Sequence, residues 1–219
     1  PISMKTTILL LVISLFLFLA SCTNPSDKKV NDQTSESSES GVTSTDWQSR
    51  YDKLEASDLP DNVIQLIGKE WMLVTAGDEN SFNTMTASWG GIGFLWNKPV
   101  VYIFIRPERY TFEFIEKSEY FTLSFLGEEN RAIHKICGSK SGREVDKVKE
   151  TGLKPVITEK GNILFEQGRL SMECRKLYTN VMKEDCFIDP SVCKQWYGGA
   201  HGGLHHIYVA EITGAWMRE

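Results

Sequence analysis

The chain has 219 residues, 41% hydrophobic and 24% charged, with a net charge of −5. That is enough for one domain and a small appendage at ordinary globular composition, and the acidic balance argues against a nucleic-acid partner. No GxxxxGK[ST], HExxH or CxxC occurs, which removes several standard enzyme classes.

Pro1, Ile2 and Ser3 read as residues upstream of a start at Met4. From there one lysine, an apolar run over 8–20 and then small residues make a secretory signal peptide. The run is short for a membrane span, which needs about 20 apolar residues. Leu19-Ala20-Ser21-Cys22 resembles a bacterial lipobox, which implies cleavage before Cys22 and lipid on that residue. An ordinary cleaved signal or an uncleaved anchor is the alternative. Residues 1–22 are thus expected to be a signal peptide with a lipidated Cys22, giving an exported lipoprotein anchored to a membrane of the bacterial cell envelope. Residues 23–46 hold no aromatic side chain and only Val30 and Val42 as aliphatics, so they read as a flexible tether.

The folded domain is expected over 47–219. Trp47, Tyr51 and Leu54 have helical spacing, and 59–66 offers a short helical or extended lead-in. Residues 71–76 and 82–88 read as a hairpin around the turn Gly77-Asp78-Glu79-Asn80, and 100–105 as a third strand. Gly90, Gly91 and Gly93 read as a kink between them. Thr111 is a plausible helix N-cap, followed by Phe112, Phe114, Ile115 and Ser118 at helical spacing. Residues 121–126 alternate as a strand, 129–136 predict a helix closed by Gly138, and a polar loop over 139–147 leads into a short helix ending at Gly152. Later strands are predicted at 163–165, 170–177, 186–188 and 207–212. Many short strands with few helices point to a mainly β, antiparallel, closed or partly closed barrel; neither βα repeats nor GxGxxG supports a Rossmann sheet.

The stretch 83–111 carries the chemistry. Hydroxyls and backbone amides come first, at Asn83, Thr84, Met85, Thr86, Ala87, Ser88 and Trp89. A strand follows, and then Arg106, Arg109, Tyr110 and Thr111. That order suits an anionic, planar ligand held at two ends; a sheet bend with solvated arginines is the structural alternative.

Several segments in order carry a resemblance: NTMTASW at 83–89, WNKP at 96–99, RPERYT at 106–111, FTLSF at 121–125, SGR at 141–143 with Asp146-Lys147, and HHIYVAEI at 205–212. Together they resemble the flavin reductase-like family, in its flavoredoxin-type branch, over about two-thirds of the chain. The resemblance implies an FMN-binding split β-barrel, Greek-key and antiparallel with a few short helices. It further implies a homodimer with FMN near the dimer interface.

It also implies roles. The 83–89 segment would line the isoalloxazine ring, with backbone N–H groups and the Thr86 and Ser88 hydroxyls toward its polar edge. Arg106, Arg109 and Thr111, with Tyr110 beside them, would meet the ribityl phosphate. An ion pair with Glu108 or Glu113 is the alternative for either arginine. Ser141, Arg143 and Lys147 would close on the flavin, unless that loop is merely solvated. Trp89 and Trp96 would stack near the ring or belong to the core. His205, six residues before Glu211, would orient the electron donor or protonate the reduced flavin, unless it is structural. Ala210 stands where the family more often has Gly, and 182–203 is divergent, so substrate access departs from the family pattern.

No metal is expected: His201, His205 and His206 with Cys193 form no defined ligand set. Cys137, Cys174, Cys186 and Cys193 could pair in an exported protein, Cys186 with Cys193 closing a small loop, or stay free as buried hydrophobes. The electron donor is open between NAD(P)H and a redox protein, because free NAD(P)H is not expected beyond the inner membrane. Three classes of function follow. The first is an FMN-dependent oxidoreductase, and the second a non-catalytic binder of flavin or another planar ligand such as haem. The third is an interaction lipoprotein without ligand.

Overall fold

The computed structural model describes residues 47–199 and 202–218. The expected signal peptide, Cys22 and the tether lie outside the described residues, as does His201. The described residues form ten strands: β1 (Tyr51–Leu54), β2 (Met72–Gly77), β3 (Phe82–Ala87), β4 (Gly90–Leu95), β5 (Lys98–Ile105), β6 (Tyr120–Phe125), β7 (Pro155–Ile157), β8 (Ile163–Phe165), β9 (Leu170–Val181) and β10 (His206–Arg218). Five helices join them: α1 (Val63–Gln65), α2 (Tyr110–Lys117), α3 (Arg131–Ser139), α4 (Lys147–Thr151) and α5 (Pro190–Tyr197).

Every pairing is antiparallel. One sheet runs β3-β2-β6-β9-β10-β5-β4, with β1 added on β10, and β7-β8 form a separate hairpin. Strand alternation makes two apolar layers. Met72 and Val74 of β2 join Val101, Ile103, Ile105, Phe121, Leu123, Met172 and Tyr208 in the main core. Leu73, between them, faces the other way and packs with Leu126, Cys137, Ile163 and Phe165. This second layer seats α3 on the sheet beside β3.

Several expectations change. Trp47, Tyr51 and Leu54 are not one helix: Trp47–Arg50 is a 3-10 turn and Tyr51–Leu54 is a strand paired with the end of β10. Trp47 is buried, with its indole donating to Ile157 O (3.1 Å) and its ring edge-on to Trp216 (5.5 Å). The glycine kink is a strand, β4, paired antiparallel with β5, and the Tyr102 ring lies 3.4 Å from where a Cβ on Gly91 or Gly93 would stand. Trp96 (φ 52°) and Asn97 (φ 59°) turn β4 into β5 in the left-handed conformation of a tight hairpin. Residues 186–188 are not a strand. Cys186 ends a 3-10 turn, and Asp189 caps α5 by accepting from Ser191 N, with Pro190 in the first turn. Arg109, not Thr111, occupies the cap position of α2. The four cysteines among the described residues are free: Cys137 and Cys174 are buried, Cys186 is exposed and Cys193 half-exposed.

Candidate functional site

Among the described residues β3 ends the sheet, so one of its edges has no strand partner there. Into that edge reaches Lys147, the first residue of α4, whose ammonium donates to Thr84 O (2.7 Å) and Cys137 O (2.9 Å). Antiparallel alternation then turns the backbone N–H groups of Thr84 and Thr86 to the same open edge. The guanidinium of Arg109 meets the same carbonyl, donating from Nη2 to Cys137 O (3.3 Å). Lys147 is only 5% exposed. Burial is the main cause that lowers its pKa to about 8, with Arg109 adding to the fall. Burial likewise lowers the pKa of Arg109. Among the described residues neither cation forms an ion pair with a carboxylate. The neighbouring Cys137 thiol supplies no anion, since burial pushes its pKa up to about 11. Two desolvated positive charges therefore share one carbonyl.

These cations line a cavity of about 150 Å³ with Tyr110, Thr111 and the loop of residues 138–142. The first turn of α2 opens onto it, and Arg109 leaves that end without a side-chain cap; Phe112 N donates to Arg109 O (2.9 Å), so the amides of Tyr110 and Thr111 are the ones left to an anion. Thr111 is fully buried, its hydroxyl accepting from Asn83 Nδ2 (2.6 Å). Gly142 closes over this pair. A Cβ there would overlap Asn83 Oδ1, so the loop reaches β3 only with glycine. Ser141 lines the cavity and accepts from Arg143 N (3.2 Å).

A second cavity, about 190 Å³, is lined by Met85, Thr86, Ala87, Ser88, Trp89, Phe104, Arg106, Arg109 and His205. Arg109 belongs to both cavities, which makes them neighbours. Arg106 does not join Arg109 at the anion cavity as the sequence reading grouped them. It donates to Trp196 O (2.9 Å) and Gly203 O (3.3 Å), and its guanidinium lies 5.0 Å above the Tyr197 ring. The Thr86 hydroxyl donates to His134 O (2.7 Å), so toward a ligand it is left to accept. His134 is buried, and burial with Arg131 lowers its pKa to about 4. The His205 ring is tilted against Trp89 (5.2 Å) and edge-on to Phe104 (6.4 Å), while Nδ1 lies 2.7 Å from Tyr197 Oη. Burial, then Arg106, lowers its pKa to about 4, so it is neutral at pH 7.

A third, broader cavity of about 660 Å³ is lined in part by Asn83, Thr84, Tyr110, Arg143 and Lys147. The ion pair expected as an alternative for Arg106 or Arg109 is made instead by Arg143, with Glu113; the Arg143 guanidinium also lies 4.7 Å over Tyr110. The fifteen protein-side residues singled out from sequence thus line three adjoining cavities. Trp89 and Trp96 are not core: they are 40% and 54% exposed. Trp89 lines the second cavity, and Trp96 lies in the β4–β5 turn near Tyr178. The Cys137 carbonyl, Trp196 and Tyr197 were missed. Only the Asp-Pro-Ser start of α5 could have signalled the last two.

The family model described as "Flavin reductase like domain" matches residues 65–219. No curated protein matches the chain. Among solved structures, flavoredoxin from Methanosarcina acetivorans is similar at 22% identity, with a TM-score of 0.54 over 68% of this chain and 69% of that one. An FMN-binding domain of a flavin reductases-like enzyme from Shewanella baltica is 18% identical, with a TM-score of 0.56 over 77% of each chain. The FMN-binding protein from Thermus thermophilus, with bound p-hydroxybenzaldehyde, is 21% identical, with a TM-score of 0.54 over 68% of this chain and 71% of that one. At these identities the likeness shows the fold, a split barrel.

Proposed function

The chain belongs to the flavin reductase-like family, and from that premise we propose that it is an FMN-dependent oxidoreductase, tethered to a cell-envelope membrane through lipid on Cys22. The observation that carries the cofactor is the pair Lys147, buried, and Arg109, half-buried, which share the Cys137 carbonyl and have no carboxylate partner among the described residues. A phosphate fits that chemistry: it would supply the missing negative charge, and Arg109, Lys147 and the first turn of α2 would hold it. The neighbouring cavity, edged by β3 backbone and walled by Trp89 and Phe104, fits a planar ring joined to that phosphate. The named relatives that bind FMN support the same ligand.

FMN supplies electron transfer, for which these side chains have no equivalent. The protein's part is to bind, orient and keep water away. Backbone groups of Thr84 and Thr86 would hold the ring's polar edge, and Trp89 and Phe104 would cover its apolar part. His205, neutral and bonded to Tyr197, is suited to orient a partner rather than to give up a proton at pH 7. The exposed rings of Phe94, Trp96 and Tyr178 support a second copy of the chain as the partner of this sheet face. The lipobox at 19–22 supports the membrane address.

The test is the visible spectrum of the purified chain after mixing with FMN and gel filtration. Flavin bands that stay with the protein, and an FMN affinity weakened about tenfold or more by Lys147→Met, are expected. Protein that emerges without flavin would overturn the reading.

A further inference from the structure

The electron partner can be approached from the walls of the ring cavity, given the FMN reading above. That cavity, about 190 Å³, adjoins the phosphate cavity through Arg109 and is walled by Trp89, Phe104 and His205. The FMN reading seats one planar ring system there. Hydride transfer from a nicotinamide needs a second ring laid against the first, with reacting atoms about 3–3.5 Å apart.

The last turn of α5 stands against three of the cavity's lining residues. Trp196 packs edge-on to Trp89 (5.1 Å, 83°). Tyr197 packs edge-on to His205 (5.5 Å, 82°) and shares the hydrogen bond to Nδ1. Arg106 holds the turn by donating to Trp196 O, and Glu108 accepts from Gly203 N. α5 buries none of its own residues, so these contacts to the cavity wall, rather than core packing, fix its place. Its position at the cavity is therefore a property of Trp196, Tyr197 and their partners.

We propose that Trp196 and Tyr197 are specificity-determining residues that shut a nicotinamide dinucleotide out of the ring cavity and leave the site to one-electron donors, which need no face-to-face stack. The FMN-loaded full chain, kept anaerobic, is mixed with reduced methyl viologen or with NADH while the flavin absorbance is followed. Viologen is expected to bleach the flavin quickly and NADH slowly. In a Trp196→Ala/Tyr197→Ala variant the ratio of NADH to viologen rates is expected to rise about tenfold or more, the scale of a changed pocket contact. Iodide quenching of the bound flavin's fluorescence should rise with it. Tyr197→Phe keeps the ring in place and should leave the ratio low. Trp196 is 44% exposed, so the single Trp196→Ala chain serves if the double variant does not fold. NADH bleaching the unmodified protein as fast as viologen, or variants with unchanged ratio and quenching, would overturn this inference alone. Failure to bind FMN at all would instead sink the functional reading, and this one with it.

Discussion

Two regions of this protein hold cations at the margin of the core, and they solve the problem in opposite ways. On one side Arg169 is gripped by acids: Nε donates to Glu70 Oε1 (2.9 Å) and Nη2 to Asp61 Oδ1 (2.9 Å). Glu70, nearly buried, also accepts from Gly127 N (2.7 Å). Hydrogen bonding to Glu70 pushes the Arg169 pKa up. At the edge of β3, Lys147 and Arg109 meet only neutral carbonyls, and burial pushes both pKa values down. The first cluster is complete within the chain. The second carries positive charge that the described residues do not balance, so an outside anion has something to add there.

Breaking the acid-paired cluster should have the largest effect. Glu70→Gln leaves Arg169 short of a charge and weakens the bond to Gly127 N, and a loss of about 3 kcal/mol in a urea unfolding curve is expected. The carbonyl-only cluster should respond in binding more than in stability. Lys147→Met should weaken FMN by about 2 kcal/mol, or roughly thirtyfold, in a fluorescence titration. Equal weakening by Arg169→Met would erase the contrast between the clusters. The pH dependence sharpens it further. The folded pKa of Lys147 is lowered to about 8 from 10.5. The unfolded chain therefore binds the extra proton between those values, and ligand-free stability should rise as pH climbs through that window. FMN affinity should fall over the same window, by at most about tenfold per pH unit, as the ammonium loses its proton. Lys147→Arg should flatten the affinity profile. The smallest effect is expected from Glu113→Gln. Its pair with Arg143 is 45% exposed on each side, and a change within about 0.5 kcal/mol should appear in both unfolding and FMN titration.

Much of the barrel was legible because its strands announce themselves, by alternation over 121–126 and by an unbroken apolar run over 100–105. What was hidden depended on distant partners. Gly91 and Gly93 read as a break until the Tyr102 ring is seen lying over them. Trp47, Tyr51 and Leu54 carry a helical spacing that pairing with β10 overrides. The candidate site was legible as a set of residues, since order along the chain kept hydroxyls, arginines and the 141–147 loop apart. Their directions were not. Arg106 and Arg109 are three residues apart yet face different neighbours, because one guanidinium ends at the Trp196 and Gly203 carbonyls and the other at Cys137 O. A main-chain carbonyl that gathers two cations leaves no trace in a sequence.

β10 pairs with β1, β5 and β9, so the strand nearest the end of the domain is the one that three others need. While the chain is being made, those three have no common partner until the residues of β10 emerge from the ribosome. The contacts that then form are far apart along the chain, which is the pattern of slow, late closure. Closure of the domain is thus expected to wait until β10 is available to all three.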